Sequence, residues 1–441
     1  MSRDSQNIHI QVPETAPSFG QLLRVFAHIG CLSFGGPAGQ ISLMHRAVVE
    51  ERRWMSEERF LHALNYCMLL PGPEAQQLAT YIGWLLHGLR GGLAAGLLFI
   101  LPGLAVMLGL SVAYGLYHET GWLQSLFLGL KAAVLAIVVE AVFRVGRRAL
   151  KGRLHHGLAA VSFLALFVFG IPFPLVILAA ALIGLVFARK TAVVTDELNE
   201  ARPAPTMTRT LLSLVVWLAI WQAPLVLLLL VSGDAPAFAD LFSFFSKMAL
   251  VTFGGAYAVL AYVAQMAVDH YGWLRPGEML DGLALAETTP GPLVLVLCFV
   301  GYLAGGRSGS GLDPVLAGTL GLLLTAWATF VPSFLWIFIG APYVERLRAN
   351  AYAAAALSAI TAAVVGVILN LSLWFALHVL FGAVEKLEFG PAALPWPVWQ
   401  SVDWKAAGLA ALSAVLLLRL RWGVARVLGL AAALGLALPQ L

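Results

Sequence analysis

Long apolar runs punctuated by Gly, Pro and Trp fill this chain, with little of the polar–apolar alternation of a water-facing fold. Leu211–Val231 carries no formal charge, and about 20 such residues suffice to cross a bilayer. From Phe19 the pattern predicts an apolar segment broken at Ser33-Phe34-Gly35-Gly36-Pro37, then an amphipathic stretch ending at Trp54. A second broken segment follows at Pro71-Gly72-Pro73, then two longer spans, then two short apolar segments at about 155–169 and 175–188. The same order returns after residue 236 and closes with short segments at about 403–418 and 423–438.

The recurrence has fixed landmarks. Ser33-Phe34-Gly35-Gly36 is echoed by Thr252-Phe253-Gly254-Gly255, Trp54 by Trp273, and Pro71-Gly72-Pro73 by Pro290-Gly291-Pro292, all 219 residues apart. After a one-residue slip Tyr81 meets Phe299, and after a longer loop Pro102 meets Pro332 at an offset of 230. Ordered Gly, Pro and Trp positions do not coincide by chance as apolar runs do. The chain divides into a polar tail (1–18), a first repeat (19–190), a linker with one connecting helix (191–235) and a second repeat (236–441).

Composition narrows the class. Only 11% of the 441 residues are charged against 60% hydrophobic, where soluble domains carry roughly 25% charged residues. Polar Met1–Ser18 has no apolar core, so no cleaved leader is expected, and retention in a cytoplasmic-type membrane is the simpler reading. Arg46, Arg52, Arg53 and Arg59, and then Arg144, Arg147, Arg148, Lys151 and Arg153, mark cytoplasmic loops in the first repeat. The matching loops of the second repeat are nearly devoid of Lys and Arg, which predicts inverted topology. The expected fold is an all-α polytopic membrane protein, two homologous halves arranged as inverted repeats with broken or re-entrant helices. Cys31, Cys67 and Cys298 fit no disulfide or metal spacing, and no cofactor, nucleotide-binding or nucleic-acid motif is present. Neither an enzyme nor a cofactor is expected; a homodimer is compatible with the pattern.

The breaks carry the candidate chemistry. A helix restarting at Gly36-Pro37 or after Pro73 aims free N–H groups and a positive dipole end into the gap, which suits an anion. Gln40, Gln76 and Gln77 lie within reach in sequence, as do Thr288, Thr289 and Tyr257 in the second repeat. Arg24, one turn from His28, and Lys131 within an apolar span are candidate cations. Snorkelling is the competing reading for Arg24, and an ion pair with another helix for Lys131. Glu140 is set to pair with Arg144 at i+4. Glu74 is either a favourable charge at a helix start or a titrating group. Across the repeat Lys131 and Glu140 face Thr361 and Asn370, so the deep charges are expected mainly in the first half.

FGGPAGQI, LLPGPEAQQLATYIGW, FGGAYAVLAYV and LAETTPGPLVLVLCFVGY together resemble the paired motifs of the long, two-domain bacterial chromate ion transporters. Ala256 departs mildly from that pattern, which often has a third glycine there. The resemblance covers nearly the whole chain from Phe19. It implies efflux of chromate, a tetrahedral dianion shaped like sulfate, and hence chromate resistance. Its motif residues fall on Gly35, Gly36, Pro37, Pro71, Gly72, Pro73, Glu74, Gly254, Gly255, Pro290, Gly291 and Pro292. A carrier of sulfate or another oxyanion on the same fold is the alternative.

Overall fold

In the computed structural model the described residues are 17–34, 36–188, 207–231, 236–253, 256–275, 277–341, 351–390 and 392–438. Gly35, Gly254 and Gly255 lie outside them. Among the described residues helices dominate, and five are long and apolar enough to cross a membrane.

Each repeat opens on a helix that stops at its FGG motif. In the first, α1 (Phe19–Leu32) starts on a capping box in which Ser18 and Gln21 exchange bonds. The chain resumes as α2 (Gly36–His45), which ends in a single π-helical turn (Arg46–Glu51) before Trp54. α3 (Glu57–Cys67) runs up to Pro71-Gly72-Pro73, and α4 (Glu74–Tyr117) restarts immediately after it. Pro-Gly-Pro cannot continue a helix, because two N–H donors are missing and the residue before each proline is pushed out of the α region. α5 (Gly121–Ala149), α6 (Arg153–Phe167) and α7 (Phe173–Ala188) complete the repeat.

α4 is a hairpin. At His87 and Gly88 the backbone leaves helical geometry (φ −137° and +61°) and the chain doubles back. Gly83 then meets Gly91, and Thr80 meets Gly96, so closely that a Cβ on either Gly91 or Gly96 would clash. The second repeat builds the same hairpin from two helices joined by a loop.

That repeat consists of α9 (Pro236–Val251), α10 (Ala256–Gln265) with its own π-turn (Met266–His270), and α11 (Glu278–Thr288). Then come α12 (Val296–Gly306), α13 (Pro314–Gly340), α14 (Ala351–Leu380), α15 (Trp404–Ala414) and α16 (Val424–Ala437). Between the repeats, α8 (Met207–Val231) is held to α13 by two reciprocal indole bonds. Trp221 Nε1–H donates to the Ala328 carbonyl at 3.2 Å, and Trp327 Nε1–H to that of Ile220 at 3.0 Å.

The sequence predicts helices only, yet an antiparallel hairpin of β1 (Val384–Phe389) and β2 (Ala392–Pro397) follows α14. Prolines at 395 and 397 bar a helix here, and Gly390 (φ +62°) turns the chain.

The short terminal helices change partners. α15 and α16 of the second repeat pack along α5 of the first, while α6 and α7 pack along α14. Small residues make these contacts close: a Cβ on Gly129 would sit 1.9 Å from the Ala431 carbonyl oxygen, and one on Gly366 2.1 Å from that of Ala159. Each long helix is therefore clasped by the other repeat's pair.

Candidate functional site at the crossed helix breaks

The four breaks meet in pairs, each motif crossing to the opposite repeat. The N–H of Gly72 donates to the carbonyl of Thr252 at 2.8 Å, and the N–H of Gly291 donates to that of Ser33, also at 2.8 Å. The two bonds are equivalent under the 219-residue offset. Both glycines have positive φ, +117° and +101°, so the turn that exposes the donor requires glycine. Ser33 and Thr252 use their hydroxyls alike, bonding back to the carbonyls of Ile29 and Met248. The proline kinks join in, because Gly103, beside Pro102, approaches so closely that a Cβ would lie 2.1 Å from the Pro290 oxygen. Its counterpart Ser333, beside Pro332, places Oγ 3.2 Å from a Cβ built on Gly72.

Most of the predicted site residues gather here. Gln40 is fully buried and donates from Nε2 to Gly291 O at 2.6 Å and Ser33 O at 3.4 Å. Gln77 Nε2 donates to Pro71 O at 2.7 Å, and Gln76 Nε2 to Phe330 O at 3.3 Å. Pro71 and Glu74 are half-buried and Pro73 is buried. Pro290 and Pro292 are buried, as is Thr289, whose hydroxyl bonds Leu285 O at 2.7 Å. Gly36 (φ +73°) and Pro37 are half-exposed at the start of α2. Thr288 is exposed. A cleft of about 670 Å³ brings Phe34, beside the first FGG, together with Glu287 and Thr288, beside the second PGP, and is closed by α5 and α16. Arg24 lies on an exposed face of α1.

Charge is distributed differently from the sequence expectation. Lys131 Nζ sits 3.1 Å from Asp281 Oδ1, and Asp281 Oδ2 accepts the Tyr114 hydroxyl at 2.8 Å. Tyr257 donates to Glu287 Oε1 at 2.6 Å. Glu278 takes both arms of Arg307 at 2.7 Å each. Glu278, Asp281 and Glu287 are all buried, and all three belong to α11. The deep charges thus do not sit mainly in the first half: that half supplies Lys131 and the second supplies buried carboxylates. Asp281 is paired across the boundary with Lys131, whereas Glu278 and Glu287 find their partners, Arg307 and Tyr257, within the second repeat. Glu140 bonds Arg144 at 2.8 Å, the i+4 pair that spacing predicts.

Asp281, Glu287, Arg307, Tyr114 and Ser333 were not singled out by sequence. The available signal was three acids within eleven residues of an apolar segment, a cost that a membrane helix accepts only with partners.

Spans long enough for a bilayer, paired helix breaks meeting in the interior and charges paired between helices define a multi-pass membrane protein of the kind that moves solutes. The sequence profile described as chromate transporter matches it twice, over residues 20–185 and 239–436, and the chain belongs to that family. It is 36% identical to the chromate transport protein of Pseudomonas aeruginosa over 80% of this chain and 79% of that one. It is 30% identical to the probable chromate transport protein of Synechococcus elongatus (80% and 83% covered). Identity to the chromate transport protein of Cupriavidus metallidurans is 28% (80% and 82% covered). No solved structure matches the chain.

Proposed function

We propose that this protein is a secondary transporter that exports chromate across the inner membrane and so confers chromate resistance. The reciprocal pair of bonds, Gly72 to Thr252 and Gly291 to Ser33, carries the reading. It ties each repeat's break to the other's, so that rocking of one repeat against the other re-aims both breaks together. The two repeats act as inverted copies, 19–190 and 236–441, about this crossing.

The anion engages the cleft between the first FGG and the second PGP. Phe34 leads from the cleft into the start of α2, whose first-turn N–H groups have no partner within the helix, and Thr288 lines it with a hydroxyl bonded to the Leu285 carbonyl at 2.9 Å. An interior-negative potential of about 100 mV is worth ~2.3 kcal/mol per elementary charge, so a departing dianion gains roughly 4.6 kcal/mol without ATP. Membrane potential or the proton motive force therefore suffices as the energy source.

The test is flux in proteoliposomes of known orientation, with membrane potential and pH gradient set independently. Chromate efflux that grows with potential is expected, and sulfate is run beside it because shape and charge do not separate the two. Absence of chromate flux under every gradient would sink the reading; faster sulfate flux would transfer it to that ion.

A further inference from the structure

Glu287-Thr288-Thr289 leads into the second PGP motif, where the first repeat has Met68-Leu69-Leu70 at the same offset of 219. The two breaks share a backbone, but the acid beside them belongs to one repeat only. Glu287 is 8% exposed and lines the cleft with Phe34 and Thr288, among the apolar side chains of Leu126, Leu130 and Leu428.

The three buried acids of α11 are held in different ways. Glu278 has the guanidinium of Arg307, and Asp281 has the ammonium of Lys131. Glu287 has a neutral phenol instead: Tyr257 of α10 donates to Oε1 at 2.6 Å, and among the described residues no ion pair includes Glu287. From α5, the fields of Arg144 and Glu140 reach it, but these two pair with each other at 2.8 Å. From α4 and α12, Tyr114 and Arg307 are turned to Asp281 and Glu278. Arg426 of α16 is exposed.

Burial away from a direct counter-charge works against a carboxylate, while the Tyr257 bond and the Arg144 field support one. Glu287 can therefore carry its charge or give it up, and a second negative charge in the cleft decides for the neutral acid. We propose that Glu287 takes up one proton when an oxyanion enters the cleft, and so couples anion binding to protons. The proton comes from water and adds to Oε2, because Oε1 is engaged by Tyr257, and the new O–H donates to the anion. A group that repels a dianion as a carboxylate becomes its donor as an acid, in a cleft where the Thr288 hydroxyl is already given to Leu285. Each ligand then strengthens binding of the other by the same factor. Loading adds one net negative charge to the site instead of two, and an interior-negative potential still drives that charge outward. This role rests on the cleft being the path of chromate.

The experiment uses the full chain in lipid nanodiscs and measures equilibrium binding of radioactive chromate and sulfate from acid to alkaline pH. An indicator dye in weak buffer reads proton uptake alongside. The wild-type protein is expected to lose affinity by about tenfold per pH unit once Glu287 ionises, and there to take up as much as one proton per anion. Glu287→Gln keeps the shape and a neutral donor. It is expected to match the wild-type protein at acid pH and to keep that affinity at alkaline pH, without the extra proton. Protonation of chromate itself affects both proteins alike and cancels in the comparison. Should Glu287→Gln fail to fold by size exclusion, Tyr257→Phe carries the test: withdrawing the donor from the carboxylate should move the fall in affinity to higher pH. Equal pH profiles and equal proton uptake in the wild-type and folded variant proteins would overturn the role of Glu287 and leave chromate export standing. So would uniformly weaker binding by Glu287→Gln at every pH. Binding of neither anion at any pH would overturn both.

Discussion

Lys131 and Asp281 form an ion pair at 3.1 Å between α5 of one repeat and α11 of the other, with the Tyr114 hydroxyl completing the carboxylate. The Lys131 ammonium thus has a partner on another helix. Breaking a buried pair costs about 3–5 kcal/mol, discounted here to about 2–3 kcal/mol because the Lys131 side chain is 28% exposed. Asp281→Ala and Lys131→Ala should each lower the thermal midpoint in detergent. Lys131→Met combined with Asp281→Asn should recover most of the loss. If the double variant is stable yet transports no chromate, Lys131 also acts on the anion.

Gly72→Ala and Gly291→Ala probe the two turns. A side chain at φ near +100° costs about 1–3 kcal/mol, and each new Cβ would meet a neighbour at 3.0 Å. Both variants should assemble with reduced stability and slowed chromate flux. Gly103→Ala should be worse, since its Cβ would press on the Pro290 carbonyl, a backbone atom with nowhere to yield. Expression level and size-exclusion profile rank the three.

Gln40 ties the first FGG motif to the second PGP motif through one amide. Gln40→Ala leaves the Gly291 carbonyl buried without its short bond, a loss of about 1–3 kcal/mol. The expected result is an intact fold with impaired flux, read by parallel thermal melts and vesicle assays. Full activity would remove the amide from the transport machinery.

Arg307 grips Glu278 with two parallel bonds and also donates to the Trp273 carbonyl at 3.0 Å. Arg307→Lys keeps the charge and loses the fork, so it should destabilise nearly as much as Arg307→Ala. Equal stability of the Lys variant and the parent would show that charge alone suffices.

The breaks, the duplication and the order of segments were legible in sequence because Gly and Pro act locally, through φ and a missing donor. The reversal inside α4 was not, since His87-Gly88 carries no proline, and the glycines and Arg90 around it fit a continuing helix as readily as a turn. The carboxylates of α11 escaped notice for another reason. Asp281 earns its burial from Lys131 and Tyr114, 150 and 167 positions away, and only the folded chain reveals that pairing. The β-hairpin falls between predicted helical segments, where Pro395 and Pro397 bar a helix without specifying strand pairing. The exchange of terminal helices is likewise invisible locally: α6 and α15 are plain apolar helices whichever partner they clasp.

That exchange sets a timetable for biogenesis. α5 is finished at Ala149, but the helices that cover it end only with Ala437, 288 residues later. At bacterial synthesis rates of roughly 5–20 residues per second, the first half waits roughly 15–60 s for its clasp. Throughout that interval its flank must be shielded by lipid or by the insertion machinery. A nascent chain stalled after the first repeat is left with an open seam, and a second nascent chain offers the helices to fill it.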